Sequence, residues 1–248
     1  MRETSESIPS GSRQVTVEGV EPDGVVNAPA IIALHGSGGM SRGAPIVRAL
    51  IAPIVGMGYA VYLPHYFERT GTERSTPQTS RLHFVDWTKT IGDVLSFAEK
   101  RPATDPARIG IIGISLGAFL GLSVATYDPR VKAVVDFFGG LPPPFDRDVG
   151  KLPPTLVLHG EDDPIVPVSE ARRLAKGLAD HGVPFDLQVY PKEGHNFSPL
   201  TALDAARLAT ERVELAERLG LHLLGGLGRP ELHATLDARP QDEAVGQA

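Results

Sequence analysis

Short apolar segments alternate with amphipathic segments along most of the chain. The apolar segments lack a polar–apolar alternation, which is typical of strands buried on both faces of a parallel sheet. The segments between them repeat apolar residues every three or four positions, as helices do. This order predicts an α/β fold, a mostly parallel, doubly wound sheet with helices on both faces. Strands are predicted at 30–34, 59–63, 108–114, 131–138, 154–159 and 185–190, and helices at 44–55, 84–98, 116–125, 168–180 and 203–219.

The two ends of the chain do not carry this pattern. Residues 1–12 and 225–248 are polar and without period, so both are predicted to be flexible tails around a single domain of residues 13–224. A short strand at 15–20 is predicted at an edge of the sheet. A long polar loop is predicted at 65–81. The segment 139–151 is too short for a helical cap domain, so an open site without a large cap is expected.

Composition narrows the classes of function. The 248 residues include 30 Asp and Glu against 24 Lys and Arg, and no basic patch accompanies the net charge of −6, so nucleic acid is not expected as a partner. The absence of cysteine excludes disulfides, thiolate metal sites and a cysteine nucleophile. The N-terminal residues have no apolar stretch of the kind found in secretory signals, so a cytoplasmic location is expected.

One uncharged run of 19 residues, 109–127, has the length of a membrane helix. Four glycines within it disfavour a single helix. Its first half is rich in isoleucine and its second half in leucine and alanine. We therefore interpret the run as a buried strand followed by a buried helix, and we predict no membrane contact.

The segment Gly113-Ile114-Ser115-Leu116-Gly117 lies where this strand ends and this helix begins. In that setting G-x-S-x-G forms a sharp turn that presents a nucleophilic serine, and its glycines are needed because side chains there would collide with neighbouring backbone. Ser115 is therefore the candidate nucleophile. A serine hydroxyl is a weak nucleophile near neutral pH and needs a base.

The candidate base is His195, one of eight histidines, because it follows the last predicted strand in a loop that can reach the serine. Such a base needs a carboxylate to orient it and to stabilise its charged form. Asp163, in another loop at a strand end, is the candidate, with Asp162 and Asp136 as alternatives. The order Ser115, Asp163, His195 is the one expected for an α/β-hydrolase. No metal is expected at the acidic loop, because adjacent side chains cannot all point at one centre.

Acyl transfer also needs backbone donors for the oxyanion of its tetrahedral intermediate. The N–H of Leu116, directly after the nucleophile, is predicted to be one donor. The N–H of Ser37, in the glycine-rich segment 35–39, is predicted to be the other. That segment lacks the lysine and the spacing of a phosphate-binding loop. His35 and His159, which precede glycines at strand ends, are expected to hydrogen-bond to backbone.

These motifs resemble the dienelactone hydrolase family of α/β-hydrolases over about residues 28–220. The resemblance rests on GISLGA at the predicted nucleophile, HGEDDPIVP around the acid, YPKEGHNF around the histidine and DPARIGIIG before the turn. It implies hydrolysis of small-molecule esters or lactones without a cofactor, often by small cytoplasmic proteins. A monomer or homodimer is expected.

Three positions depart from the family pattern. Ser115 stands where the family usually has cysteine, and His35 stands where the enzymes for dienelactone have glutamate. Those enzymes use arginines to hold the substrate carboxylate. Arg69 matches one and is the candidate substrate-binding residue, whereas Ser198 and Pro199 stand near the expected place of the second. The prediction is therefore a serine carboxylesterase that works through an acyl-enzyme.

Two other classes of function stay open. A peptidase or an acyl transferase would use the same three residues, and activity on amides against esters would separate them from an esterase. A small-molecule binding protein on the hydrolase fold would bind its ligand without a burst of acylation.

Overall fold

One sheet of eight strands organises residues 1–197, the part of the chain that the computed structural model describes. The strands are β1 (Arg2–Ser10), β2 (Arg13–Glu21), β3 (Ala28–Leu34), β4 (Ala60–Pro64), β5 (Thr104–Ile114), β6 (Val131–Phe137), β7 (Thr155–Gly160) and β8 (Phe185–Tyr190). Their order in the sheet is β1-β2-β4-β3-β5-β6-β7-β8. Strands β3 to β8 are parallel, and β1 and β2 are added antiparallel at one side. The predicted mostly parallel sheet is confirmed.

Within residues 1–197, five helices follow or separate the strands, together with two short 3-10 helices at Tyr66–Thr70 and Phe145–Lys151. They are α1 (Gly39–Arg42), α2 (Ala44–Gly56), α3 (Pro77–Ala98), α4 (Leu116–Ala125) and α5 (Val168–Asp180). The predicted helix at 203–219, the tail at 225–248 and the domain end at 224 lie outside the described residues.

The core has two apolar layers, one on each face of the sheet. Successive side chains of a strand point to opposite faces. Ile32 and Ile111 accordingly pack with apolar residues of α3, α4 and α5, whereas their neighbours Ile31 and Ile112 pack with those of α2. Both faces of the central strands are therefore covered, which explains why the apolar segments of the sequence show no alternation.

The N-terminal segment corrects the prediction of a tail. Residues 2–10 form β1, which pairs with β2 over its whole length from Arg2 opposite Glu21 to Ser10 opposite Arg13. The prediction of a flexible segment over 1–12 is wrong for these residues. It failed because an edge strand buries few side chains, here mainly Ile8 and Ser10, and so has no apolar pattern. Since β1 is the edge, the strand predicted at 15–20 is not an edge strand.

A buried carboxylate helps to hold this edge in place. Glu21 is only 1% exposed and contacts the guanidinium groups of Arg2 and Arg101 and the hydroxyl of Tyr62. Burial alone would raise the pKa of Glu21, but these donors outweigh it and hold the pKa below its usual value. The charged groups of β1, of β2 and of the segment that follows α3 are therefore joined at one point.

The predicted loop at 65–81 is shorter than expected. It contains the first 3-10 helix, and α3 already begins at Pro77. The hydroxyl of Thr76 caps α3 by accepting a hydrogen bond from the N–H of Thr79. This polar first turn has no apolar periodicity, which is why the sequence pattern placed the start later.

The long uncharged run divides as predicted. It forms the end of β5 and the whole of α4, with Ser115 between them. Within residues 1–197, no helix has both the length and the apolar character needed to cross a membrane. Between β6 and β7 the described chain has only the second 3-10 helix, so no cap domain is inserted there.

The two faces of β1 provide a test of the edge strand. Ile8 is 7% exposed, whereas its neighbour Ser7 points to solvent. We expect Ile8→Asp to destabilise the fold by about 2–4 kcal/mol, because it places an unpaired carboxylate in an apolar layer. At this chain length the change lowers Tm by roughly 5–15 °C in thermal unfolding. Ser7→Asp is the matched control and should leave Tm nearly unchanged; equal effects of the two would contradict the strand.

Candidate active site

Ser115 sits on a strained turn between β5 and α4. Its φ of 55° and ψ of −120° lie in a region that side-chain-bearing residues rarely adopt. Its N–H donates to the carbonyl of Phe137 at 2.8 Å, and its carbonyl accepts from the N–H of Ala118 at 2.8 Å. The backbone on both sides therefore holds the serine in the sharp strand-to-helix turn that the motif predicts.

The glycines of the motif are required by close backbone contacts. A Cβ on Gly113 would lie 2.5 Å from the backbone of Ala118, and one on Gly117 would lie 2.5 Å from the carbonyl oxygen of Leu34. These neighbours are main-chain atoms of the sheet and helix, which cannot move aside cheaply. The prediction that side chains would collide at both positions is confirmed.

His195 and Asp163 meet Ser115 at the ends of their strands. The Nε2 atom of His195 lies 2.9 Å from the Oγ of Ser115, and its Nδ1 lies 2.8 Å from the Oδ2 of Asp163. When Nδ1–H donates to the carboxylate, Nε2 is left to accept the serine proton. The three residues predicted from the sequence are thus joined in one hydrogen-bonded chain.

The carboxylate of Asp163 is oriented by its own loop. Its side chain is fully buried, and Oδ1 accepts hydrogen bonds from the backbone N–H groups of Ile165 at 2.8 Å and Val166 at 3.0 Å. With Oδ1 occupied by these donors, Oδ2 faces His195. The turn after Asp163 therefore decides which oxygen meets the imidazole.

Backbone hydrogen bonds join the loop of Asp163 to the loop of His195. The N–H of Glu161 donates to the carbonyl of Tyr190, and the N–H of Asp162 donates to the carbonyl of Glu193, each at 3.0 Å. The two loops follow the neighbouring strands β7 and β8. Their relative position is therefore set by the sheet.

Neither alternative acid contacts the histidine. Asp162 is exposed. Asp136 is fully buried near the end of β6, where Oδ1 accepts from the N–H of Gly139 at 2.7 Å and Oδ2 has no partner among the described residues. Burial raises the pKa of Asp136 to about 7, opposed by the Gly139 N–H. A carboxyl whose negative form is disfavoured by burial, and which does not reach the imidazole, is poorly suited to orient it.

The predicted oxyanion donors lie on two elements that border Ser115. Leu116 is the first residue of α4, where backbone N–H groups have no acceptor within the helix. A Cβ on Gly36 would lie 3.3 Å from the Cβ of Ser115, so the loop after β3 passes directly beside the serine. Ser37 follows in that loop, and its carbonyl accepts from the N–H of Ser75 at 2.8 Å. The roles of Ser37 and Leu116 as donors stay predictions.

Arg69 has structural partners that the sequence did not reveal. Its guanidinium donates to the Oγ of Ser10 at 2.8 Å and lies 3.3 Å from Asp93 and 3.8 Å from Asp86. The side chain is 14% exposed. These contacts join the 3-10 helix to β1 and α3, and they do not favour the predicted contact with a substrate carboxylate.

Two buried histidines flank the site. His35 hydrogen-bonds through Nδ1 to the carbonyl of Gly36 at 2.8 Å, and His159 through Nε2 to that of Val166 at 2.8 Å. The expected backbone hydrogen bonds of both residues are confirmed. Burial lowers the pKa of His35 to about 4, so this imidazole is neutral at pH 7. Its ring stacks on that of Tyr66 with 4.2 Å between centroids.

Phe138 is a site residue that the sequence reading missed. Its ring centroid lies 5.2 Å from that of His195 and 4.5 Å from that of Phe197, and its φ is 59°. A phenylalanine in the left-handed region is held there by its surroundings. Phe138 therefore packs beside the imidazole. The sequence made Phe138 the last residue of the predicted strand 131–138. That position at a strand end was the one signal available, and it is not specific.

In residues 1–197 no group of three or more histidine, aspartate and glutamate side chains is arranged to hold a metal ion. The described site consists of a serine, a histidine, a carboxylate and the backbone around them. Its arrangement suits proton transfer from a hydroxyl to an imidazole, followed by attack of the oxygen on an electrophile.

The chain is similar to one known protein family and to several solved structures. The dienelactone hydrolase family model matches residues 16–216. A dienelactone hydrolase-like promiscuous phosphotriesterase from metagenomic libraries has a TM-score of 0.74 at 20% identity, over 88% of this chain and 98% of that one. A cold-adapted esterase from an Arctic intertidal metagenomic library has a TM-score of 0.68 at 19% identity, over 85% and 93% of the chains.

A sequence relative extends the comparison. The carboxymethylenebutenolidase homolog of Xenopus tropicalis is 28% identical over 163 residues, which cover 62% of this chain and 64% of the relative. The match thus spans less than two thirds of that protein's length. The fold is the α/β-hydrolase fold. Within it, this chain belongs to the dienelactone hydrolase family.

The contacts of Gly117 provide a test of the turn. We expect Gly117→Ala to destabilise the protein by about 2–4 kcal/mol, because its Cβ would overlap main-chain atoms of the strand end. Gly92→Ala is the matched control: a Cβ there meets no atom within 4 Å and lies inside α3. It should stabilise by up to about 1 kcal/mol through helix propensity. Denaturant unfolding measures both, and equal values would contradict the crowding.

Proposed function

We propose that this chain is a serine hydrolase that cleaves carboxylic esters or lactones through an acyl-enzyme. The observation that carries the proposal is the hydrogen-bonded chain from Asp163 through His195 to Ser115, with distances of 2.8 and 2.9 Å. This arrangement couples a weak nucleophile to a base and the base to a buried carboxylate. Membership of the dienelactone hydrolase family supports the same class of reaction.

In the first half of the reaction, the Oγ of Ser115 attacks the ester carbonyl carbon while Nε2 of His195 takes the hydroxyl proton. The carbonyl π electrons move to oxygen, and the N–H groups of Leu116 and Ser37 donate to the resulting oxyanion. Asp163 stabilises the imidazolium through Nδ1–H. Collapse of the intermediate breaks the bond to the alcohol oxygen, which leaves with the proton from His195.

In the second half, water attacks the acyl-enzyme. His195 takes a proton from the water, and the second tetrahedral intermediate collapses to release the carboxylic acid and to return the proton to Ser115. In both halves the imidazole takes a proton from the attacking oxygen and gives one to the leaving oxygen, so one imidazole serves both. A lactone differs only in that its alcohol and acid remain one molecule.

Ester cleavage is chosen over the alternatives for two reasons. The named relatives include a carboxymethylenebutenolidase homolog and an esterase, which favour oxygen esters and lactones as the substrate class. A binding protein would have no need for a serine on a strained turn, hydrogen-bonded to an oriented imidazole. An aryl ester is therefore the first substrate to test, with the matching anilide to detect a peptidase.

A fluorophosphonate probe tests the nucleophile without knowledge of the natural substrate. We expect the wild-type protein to take up one equivalent on Ser115 and to lose its activity on a short-chain aryl ester. Ser115→Ala should fold normally, remain unlabelled and lose at least about 10³-fold in kcat. Mass spectrometry of the labelled peptide locates the adduct.

The control for this experiment is Ser7→Ala, a change on the exposed face of β1 that should label and turn over like wild type. A wild-type protein that binds the ester without a burst of acylation would instead favour a binding protein. Labelling at another serine would contradict the assignment of Ser115.

The paired variants Asp163→Asn and Asp162→Asn test the acid. The N–H groups of Ile165 and Val166 require an oxygen at the Oδ1 position, so the asparagine amide nitrogen would face His195 and impose the wrong tautomer. We expect kcat on the aryl ester to fall by about 10³–10⁴ in Asp163→Asn. Asp162→Asn changes a neighbouring exposed carboxylate and should keep kcat within twofold. A large loss in Asp162→Asn alone would reverse the assignment.

A further inference from the structure

We infer that His159 is a positioning residue for this reaction, a buried second imidazole that holds the turn after Asp163 so that one carboxylate oxygen faces His195. The inference rests on the proposed function. It assigns a role to a histidine that does not belong to the chain of Ser115, His195 and Asp163.

The contacts of His159 converge on that turn. Its Nε2–H donates to the carbonyl of Val166 at 2.8 Å and lies 3.5 Å from the Oδ2 of Asp163. The side chains of His159 and Asp163 are both fully buried. Such an imidazole cannot touch a substrate, so any effect on the reaction passes through the residues it contacts.

Val166 connects the histidine to the acid. Its N–H donates to the Oδ1 of Asp163 at 3.0 Å, while its carbonyl accepts from His159. The peptide groups on the two sides of Val166 are therefore both held. Without the imidazole N–H, the buried carbonyl would lose its partner, and the turn would be free to shift. A shift of the Val166 N–H rotates the carboxylate and moves Oδ2 away from His195.

Charge explains why a neutral imidazole suits this place. Burial lowers the pKa of His159, and the charge of a protonated His195 lowers it further, against the opposing effects of the Val166 carbonyl, Asp163 and Glu170. The neutral ring supplies an N–H dipole without a positive charge. A charged ring would compete with the imidazolium of His195 for the same carboxylate.

Three variants test this role against a purely structural one. His159→Leu replaces the imidazole by an apolar side chain of similar size and so removes the N–H. His159→Gln places an amide N–H near the position of Nε2. His181→Leu changes an exposed histidine at the end of α5 and is the control. For each variant, fluorophosphonate titration gives the fraction of active protein, and kcat, KM and the pH profile are then expressed per active site.

We expect His159→Leu to lower kcat by about 10–100-fold, because a small displacement of a positioned group has an effect of this size. KM should stay within about twofold, since no substrate contact is lost. The acid limb of the kcat/KM profile should move to lower pH, because a displaced carboxylate stabilises the imidazolium of His195 less. His159→Gln should recover most of kcat and the position of the limb, and the control should change neither.

An unchanged kcat and pH profile per active site in His159→Leu would overturn the inference, as would a loss confined to the fraction of folded protein.

A second measurement does not depend on variants. In nitrogen-15 spectra of the histidines of the wild type, neutral His159 should carry its proton on Nε2, as its hydrogen bond to the Val166 carbonyl requires. A neutral His159 that carries its proton on Nδ1 would overturn the inference. Absence of wild-type labelling at Ser115 would instead count against the proposed function.

Discussion

The conformation of Ser115 is the constraint on which the rest of the site depends. An L-residue with φ of 55° at a strand end must be held there by its neighbours. The contacts are of two kinds: hydrogen bonds to the carbonyl of Phe137 and from the N–H of Ala118, and the close approach of α4 to β3 and β5 that glycines permit. The packing of α4 against the sheet therefore also holds Ser115 in the conformation that presents its hydroxyl to the site.

The sheet brings the other groups to this hydroxyl. Parallel strands end at one edge, and there the loops after β3, β5, β7 and β8 meet. The loops of Asp163 and His195 are joined by backbone hydrogen bonds, and the turn after Asp163 is tied to His159. Burying a polar group without a hydrogen-bond partner costs free energy, so each of these groups restricts the positions of the residues it bonds to. Among the described residues, three buried atoms lack a hydrogen-bond partner: Nε2 of His35, Nδ1 of His159 and Oδ2 of Asp136. Protonation reduces this cost at Asp136.

Several elements could be predicted closely because their signals are local. The bounds 168–180 and 185–190 predicted for α5 and β8 agree with the structure, since one is strongly amphipathic and the other follows a clear turn. Strand β1 could not be predicted, because its pairing with β2 is made by backbone groups that any sequence possesses. The start of α3 was missed for a similar reason: its polar first turn is stabilised by a cap rather than by burial.

The sequence by itself determined the fold class, the strained turn at Ser115 and the order of the candidate residues, because strand burial, helix periodicity and G-x-S-x-G are patterns of neighbouring positions. Only the tertiary structure decided which carboxylate meets His195, that Arg69 is engaged by Ser10 and Asp93, and that His159 lies against the acid. These contacts join positions up to 59 residues apart. Their geometry follows from how the strand ends align in space, which no local pattern specifies.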